Sequence, residues 1–152
     1  MPICWIRPFN VYGPRQVGEG AISAFVYRAP KGLPLRVTGD GSQVRAFCYV
    51  DDFCDAIEAC LRLPDVARGQ SFNIGDPREP VTMLELAERI RKLTGSRSTI
   101  EFVPHAGQDV RYRSPSIAKA ARMLGYAPAH SLDEGLEKRI AWFREANPGE
   151  PT

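Results

Sequence analysis

The spacing of apolar and β-branched residues predicts five short strands separated by turns and helices. The first six residues are apolar and stop before Pro8, which is typical of a buried strand. A second run after the Gly39-Asp40-Gly41 turn is expected to return beside the run before it, as a hairpin or a bend. The predicted strands cover residues 1–6, 35–38, 44–49, 71–74 and 100–103.

Helical periodicity predicts five helices, most of them with a recognisable start signal. The capping box Thr82-Met83-Leu84-Glu85 is the clearest of these signals, because a hydroxyl and a carboxylate satisfy free amides there. Other expected caps are Asp51 or Asp52, Ser116 and Ser131. The predicted helices cover residues 21–29, 51–63, 82–95, 116–124 and 131–143, and the apolar stripe of the second is Phe53, Ala56, Ile57, Cys60 and Leu61.

Strands and helices in this order predict an α/β fold with about five helices. Their spacing lacks the regular β-α-β repeat of a complete doubly wound sheet. Residues 8–20 are rich in residues that break regular structure and predict a long loop. We expect a single α/β domain over residues 1–147 and a disordered tail over 148–152.

Composition excludes several classes of function. The formal net charge is +2, which gives no reason to expect binding to nucleic acid or to a membrane. No apolar run approaches the roughly 18 residues that cross a bilayer. The four cysteines lack Cys-x-x-Cys spacing, so reduced thiols in a cytoplasmic protein are expected and no metal site is predicted.

Two motifs carry the candidate chemistry. Residues 7–16 read Arg-Pro-Phe-Asn-Val-Tyr-Gly-Pro-Arg-Gln and leave the first predicted strand at its carboxyl end, where ligands gather in open α/β sheets. Taken alone, Asn10 and Gly13 are equally typical of ordinary turn residues. Residues 39–52 contain Arg45, whose planar guanidinium suits a diphosphate, although an isolated arginine on a strand is usually a solvated edge residue.

Together the two motifs resemble the second half of an extended short-chain dehydrogenase/reductase of the NAD-dependent epimerase/dehydratase family. The similarity runs from about residue 7 to residue 143. UDP-glucuronate decarboxylases and generic family members are the most similar, through residues 41–50, which read Gly-Ser-Gln-Val-Arg-Ala-Phe-Cys-Tyr-Val. The resemblance implies a Rossmann-type enzyme whose small α/β substrate domain is represented here without the N-terminal dinucleotide-binding half.

The resemblance also implies roles for the first motif and for Arg45. Pro8 and Phe9 are expected along the nicotinamide of NAD, and the Asn10 amide is expected to hydrogen-bond the sugar nucleotide. Arg45 is expected to bind the diphosphate. The most probable ligand implied by the family is a UDP-sugar.

A third segment, Arg111 to Ser116, resembles the family element in which an arginine closes over the nucleotide. The Arg-x-Pro-x pattern favours Arg113, and Arg111 remains an alternative. Asp109 is expected either to hold the ribose or to steady these arginines. The alternative for either arginine is a surface position without a ligand.

The family's catalytic elements are not found in the chain. No glycine-rich loop stands at a strand–helix junction. Tyr27 and Lys31 match Tyr-x-x-x-Lys by letter, but Pro30 breaks the turn that would place them on one helical face. We therefore predict no catalytic residue in this chain, and NAD held by the complete enzyme but not by this chain alone.

Two hypotheses follow. The first is a truncated nucleotide-sugar-binding portion of such an enzyme, inactive alone and complemented by a missing N-terminal half. The second is a stand-alone, non-catalytic module that binds a nucleotide or a partner protein. Either way, an uncovered sheet edge at Pro2 to Ile6 is expected to favour self-association.

Overall fold

The computed structural model describes residues 3–16, 18, 20–104, 107 and 109–148. Nine strands are found there: β1 (Trp5–Pro8), β2 (Val11–Tyr12), β3 (Leu35–Thr38), β4 (Val44–Arg45), β5 (Cys48–Tyr49), β6 (Ser71–Ile74), β7 (Val81–Thr82), β8 (Ile100–Val103) and β9 (Tyr112–Arg113). The same ranges hold six helices: α1 (Ala21–Arg28), α2 (Val50–Arg62), α3 (Pro64–Ala67), α4 (Met83–Thr94), α5 (Ala118–Leu124) and α6 (Leu132–Ala146). The predicted α/β fold is confirmed.

The chain divides into two compact units, each built from three separate segments. The first unit contains Met1–Tyr12, Ala46–Pro80 and Ser114–Leu132. The second unit contains Gly13–Arg45, Val81–Arg113 and Asp133–Thr152. The single-domain boundary at residue 147 stays a prediction, and the predicted tail lies outside the described residues from 149 onward.

The first unit has two short parallel strand pairs and one apolar core. β1 pairs with β6 from Trp5–Ser71 to Pro8–Ile74, and β2 pairs with β5. Phe72 and Ile74 on β6 are fully buried. They pack with residues of α2, α3 and α5, namely Ala56, Cys60, Ala67, Ala120 and Leu124.

The second unit has a parallel pair, β3 with β8, and a three-stranded sheet in the order β7-β4-β9. β4 runs antiparallel to β7 and parallel to β9. Apolar side chains of β3 and of three helices are buried here, including Leu35, Val26, Leu86, Ile90 and Leu136. This burial is what makes short strands stable, because isolated pairs of this length are marginal in water.

Several local predictions are confirmed. The strands at 35–38, 71–74 and 100–103 have the predicted bounds. The Thr82 capping box is complete: the Glu85 amide donates to the Thr82 hydroxyl, and the Thr82 amide donates to the Glu85 carboxylate. Gly95 then ends α4 in the left-handed conformation, at φ 69°.

The first predicted strand was wrong in its bounds and in its burial. β1 begins at Trp5 and continues to Pro8, and residues 1–2 lie outside the described residues. Ile3 and Trp5 are 42% and 55% exposed. Within the described chain β1 has one hydrogen-bonded neighbour, β6. Ile6 is half-buried against the core of the first unit, whereas Trp5 stays exposed.

The prediction of one strand over residues 44–49 was also wrong. The segment is broken after Arg45, so β4 and β5 belong to different sheets. Of the two predicted alternatives at the Gly39-Asp40-Gly41 turn, a hairpin or a bend, the hairpin does not form, because β3 pairs in parallel with β8. Distant segments supply the hydrogen-bond partners here, which local turn chemistry does not reveal.

Three details of the predicted helices differ. α2 has Tyr49 at its N-cap and no side-chain cap, because the Asp52 carboxylate binds elsewhere in the first unit. α5 begins after Ile117, so Ser116 is not its cap. Ile57 and Leu61 are 36% and 75% exposed and therefore lie off the buried stripe of α2. The predicted long loop at 8–20 contains the short strand β2.

No helix among the described residues combines the length and the apolar character that crossing a membrane requires.

Candidate functional site

The loop that follows β1 belongs to the first unit and is held by backbone hydrogen bonds. The Phe9 amide donates to the Ile74 carbonyl over 2.9 Å, which extends the β1–β6 ladder by one step. Pro8, the last residue of β1, is exposed, and Phe9 is half-buried. The two residues predicted to lie along nicotinamide are thus placed at the carboxyl ends of two parallel strands, as expected for a ligand site.

Asn10 turns the chain away from β1 and anchors the turn with its own side chain. Its φ is 44°, in the left-handed region that asparagine tolerates better than most residues. Its Nδ2 donates to the Ala46 carbonyl over 2.8 Å, and its carbonyl accepts from the Cys48 amide over 3.2 Å. These bonds give Asn10 the role of a turn residue, and its contact with a sugar nucleotide stays a prediction.

Gly75 lets the loop after β1 pack closely against its neighbours. A Cβ at this position would lie 2.6 Å from Pro115 Cγ and 3.0 Å from Phe9 Cβ. Only glycine fits at such distances without movement of its neighbours. The absence of a side chain at Gly75 therefore sets the position of Phe9.

Arg45 lies in the second unit and is nearly buried. The residue is 8% exposed, and its Nη2 forms an ion pair with Asp109 Oδ1 at 2.7 Å. Its Nη1 donates to the Val44 carbonyl over 2.9 Å. Asp109 therefore steadies the Arg45 guanidinium. Its predicted roles, holding the ribose or steadying Arg111 and Arg113, stay predictions.

Arg113 and Arg111 lie next to Arg45 through the β4–β9 pairing. Arg45 and Arg113 are register partners, so their side chains project from the same face of the sheet. The Arg111 carbonyl accepts from the Val44 amide over 2.9 Å, which holds Arg111 beside β4 at the bend before β9. Arg111 and Arg113 are both exposed. We call Arg45, Arg111 and Arg113 the arginine face.

A second carboxylate lies near the arginine face. The Ser42 amide and hydroxyl donate to Asp40 Oδ1 over 2.9 Å and 2.7 Å. These two bonds, and more weakly the charge of Arg111, lower the pKa of Asp40 below its ordinary value. The arginine face thus has three cations and two carboxylates nearby, which leaves a net positive charge for an anionic ligand.

Sequence reasoning missed a group of buried polar contacts in the first unit. Asp52 is 1% exposed and accepts from the Ala129 amide over 3.0 Å and from the His130 amide, and its Oδ1 lies 2.8 Å from His130 Nδ1. Asp76, also buried, pairs with both Nε and Nη2 of Arg78. Adjacent aspartates at 51–52 were the only sequence signal, and they had suggested a helix cap.

Tyrosine hydroxyls complete this buried polar group. Tyr126 donates to the Gly75 carbonyl over 3.1 Å, and Tyr12 donates to the Leu132 carbonyl over 3.0 Å. Burial raises the pKa of both tyrosines above the ordinary value and raises the pKa of Cys48 to about 11. These groups therefore stay protonated near neutral pH, and both tyrosine hydroxyls donate hydrogen bonds inside the first unit.

The letter match at Tyr27 and Lys31 does not form a helical pair. α1 ends at Arg28, and the Lys31 Nζ lies 3.9 Å from the centroid of the Tyr27 ring, over its face. The described residues also contain no cluster of three or more His, Cys, Asp or Glu side chains suited to a metal ion.

The fold and the motifs point to one protein family. Residues 1–75 match the NAD dependent epimerase/dehydratase family. This match confirms the resemblance inferred from the two motifs.

Individual relatives sharpen this match. The chain is 40% identical over 140 residues to UDP-glucuronic acid decarboxylase 1 of Arabidopsis thaliana, covering 91% of this chain and 31% of that enzyme. It is 37% identical over 155 residues to UDP-N-acetyl-alpha-D-glucosaminuronate decarboxylase of Bacillus cytotoxicus, covering 95% and 47%. The crystal structure of UDP-glucuronic acid 4-epimerase from Bacillus cereus, in complex with UDP-glucuronic acid and NAD, superposes with a TM-score of 0.90 at 31% identity, covering 97% of this chain and 46% of that chain. The chain thus spans between about a third and a half of the length of these relatives.

Proposed function

We propose that this chain is the nucleotide-sugar-binding portion of an NAD-dependent epimerase, dehydratase or decarboxylase. The observation that carries the proposal is the arginine face, where the β4–β9 register pairs Arg45 with Arg113 and a backbone hydrogen bond from Val44 holds Arg111 beside them. Relatives whose names specify UDP-sugar acids support a UDP-sugar as the ligand.

The diphosphate is the part of the ligand that the arginine face suits. A guanidinium carries five N–H donors, and Arg45 uses Nη1 and Nη2 for one bond each to Val44 and Asp109. The exposed side chains of Arg111 and Arg113 bring two more cations to the phosphate oxygens. Asp109 acts as a positioning residue, because its ion pair holds the Arg45 guanidinium in one orientation.

NAD belongs to the complete enzyme, where it supplies reversible oxidation of the sugar at C4. The residues here suit only the nicotinamide end of such a cofactor. Pro8 and Phe9 are fixed by the β1–β6 ladder and by close packing against Gly75, whereas the sequence contains no phosphate-cradling glycine loop. We propose that the chain alone holds no NAD, turns over no substrate and acts in the cytoplasm.

Calorimetric titration with UDP-glucuronic acid tests the ligand assignment. We expect saturable binding that Arg45→Lys and Arg113→Lys each weaken about tenfold or more, because lysine cannot make the paired bonds of a guanidinium. Arg36→Lys is the matched control: Arg36 is an exposed strand arginine of the same unit, 3.8 Å from Glu101, and its substitution should leave binding unchanged. Equal affinity in all four proteins would contradict the proposal.

Turnover is a separate test. Incubation of the chain with NAD and UDP-glucuronic acid should yield neither a changed sugar nucleotide nor carbon dioxide by mass spectrometry. Turnover would contradict the proposed inactivity but not the proposed ligand.

The exposed β1 edge supports a second role, the binding of a protein partner. Trp5 is 55% exposed on a strand that has one neighbour among the described residues. We propose that this edge receives the dinucleotide-binding half of the complete enzyme and otherwise promotes self-association. Light scattering should show association that Trp5→Lys reduces, whereas Phe102→Lys, which changes an aromatic residue 56% exposed on β8, should not. A monomeric unsubstituted chain would contradict this role.

A further inference from the structure

A cavity of about 490 Å³ lies in the second unit between α1 and α6. Its size is within the range of small-molecule sites. Aromatic side chains of both helices form part of the wall, and Tyr27 and Phe143 meet edge to face at 6.1 Å between ring centroids. The remaining wall includes Gly20, Ser23 and Arg139. None of these residues belongs to the arginine face.

Arg139 is the unusual member of this wall. It is 3% exposed, and its Nη2 donates to the Gln16 carbonyl over 3.2 Å. Its Nε and Nη1 are shielded from water and have no hydrogen-bond partner within the described part of the chain. Its Cζ lies 4.9 Å from the centroid of the Trp142 ring, over the face.

Burying these groups without partners is costly. Donors of a charged group that lose water without gaining an acceptor destabilise a fold, and native proteins rarely leave them so. The Ser23 hydroxyl is buried in the same wall and also has no partner among the described residues. Burial moreover lowers the pKa of Arg139. An acceptor that enters the cavity would relieve both side chains.

We propose that this cavity binds a small organic carboxylate with a planar apolar body. The carboxylate accepts charge-assisted hydrogen bonds from the Arg139 guanidinium, which rotates toward the cavity to expose its shielded N–H groups. The Ser23 hydroxyl donates a further bond. Tyr27, Trp142 and Phe143 contact the apolar body, which a bare phosphate ion would leave without contacts.

Benzoate is the probe for this site, and inorganic phosphate is its comparison. By calorimetry and by a shift of Tm, we expect benzoate to bind one site per chain with a Kd below about 1 mM. Phosphate should bind at least tenfold more weakly at this site. Equal binding of the two anions, or no saturable benzoate binding up to about 10 mM, would overturn the proposal.

Arg139→Met removes the guanidinium while it keeps a similar apolar volume. We expect this variant to lose benzoate binding and, without ligand, to melt at the same temperature as the unsubstituted chain or higher, because an unsatisfied buried charge is removed. The matched control is Lys138→Met, which removes an exposed charge from the next position of α6 and should keep benzoate affinity. Unchanged benzoate binding in Arg139→Met would overturn the proposal.

Ser23→Ala gives an independent measurement if Arg139→Met fails to fold. Loss of one hydroxyl donor should weaken benzoate binding about threefold to tenfold, in line with one hydrogen bond. Glu19→Gln tests whether the chain supplies its own carboxylate, since Glu19 stands between Gly18 and Gly20 in sequence. Benzoate binding that appears only in Glu19→Gln would make Arg139 part of a structural ion pair and would overturn the proposal.

Discussion

Two aspartates, one in each unit, lie in opposite environments. In the first unit, the Asp52 side chain is 1% exposed and accepts hydrogen bonds from two backbone amides as well as contacting His130. In the second unit, the Asp109 side chain is 31% exposed and binds one guanidinium nitrogen. A buried carboxylate with all its partners inside the fold is suited to hold loops together. A half-exposed carboxylate beside exposed arginines leaves charge that a ligand can use.

Burial and bonding, rather than residue type, distinguish the aspartate that holds the fold together from the one beside the proposed binding surface. Aspartates and arginines occur in both units, and the sequence alone does not distinguish their roles. When a buried, fully bonded charge is removed, its hydrogen-bond partners stay buried with neither a protein partner nor water. When an exposed charge is removed, its former partners form hydrogen bonds with water instead. Substitutions in the two units should therefore differ in their effect on stability, and those in the second unit should chiefly affect binding.

Asp52→Ala should produce the largest loss of stability. The amides of Ala129 and His130 would lose their acceptor inside the first unit, and we expect the free energy of unfolding to fall by about 3 kcal/mol or more in urea denaturation. Asp51→Ala is the matched control, because Asp51 is the exposed neighbour on the same helix turn and should cost less than about 1 kcal/mol. Equal losses would refute the distinction between the units.

Gly75→Ala should produce the next largest loss of stability. The added Cβ would overlap Pro115 and crowd Phe9, and overpacking of this kind costs about 1–3 kcal/mol. Gly125→Asn is the control: no atom lies within 4 Å of a Cβ there, and asparagine tolerates its φ of 69°. Thermal unfolding compares the two. A melting temperature unchanged by Gly75→Ala would show that Phe9 moves freely, against its proposed fixed position.

The buried thiol of Cys48 gives the first unit a dependence on alkaline pH. Its pKa is raised from 9.0 to about 11, so the folded state holds this proton more tightly than the unfolded chain does. The resulting stabilisation is complete below pH 9 and is lost as the pH rises through about 11. Chemical denaturation from pH 8 to pH 11 should show a decline that Cys48→Ala reduces. Cys54→Ala, at an exposed position of α2, should leave the decline as it is.

Asp109→Ala should have the smallest effect on stability, about 1 kcal/mol: the nearly buried Arg45 guanidinium loses one acceptor, but water can reach the partly exposed site of Asp109. The substitution should have a larger effect on the affinity for UDP-glucuronic acid. Without the ion pair the Arg45 guanidinium loses its fixed orientation, and affinity should fall about threefold or more by calorimetry. A variant with large destabilisation and unchanged affinity would assign Asp109 to the scaffold instead.

Local sequence patterns correctly predicted the features that depend on residues close together in the chain. The Thr82 capping box formed as expected because its two hydrogen bonds join residues three positions apart. Strands 35–38, 71–74 and 100–103 were bounded by residues that stop strands. The family was recognisable because its motifs are continuous segments, and one of them includes Asn10.

Long-range pairing overturned the remaining expectations. The hairpin from 35–38 to 44–49 was wrong because β3 finds its partner in β8, more than sixty residues along the chain. The supposed cap Asp52 bonds to Ala129 and His130 for the same reason. The burial of Arg139 likewise depends on how α6 packs in the second unit.

The sequence alone determined the class of fold, the family and the arginines that we propose bind a diphosphate. Each of these conclusions rests on short segments whose chemistry is local. The partners of those arginines, the burial of Asp52 and Arg139, and the close fit at Gly75 arise from contacts between segments far apart in the chain. Such contacts depend on which segments exclude water together, and no short stretch of sequence contains that information.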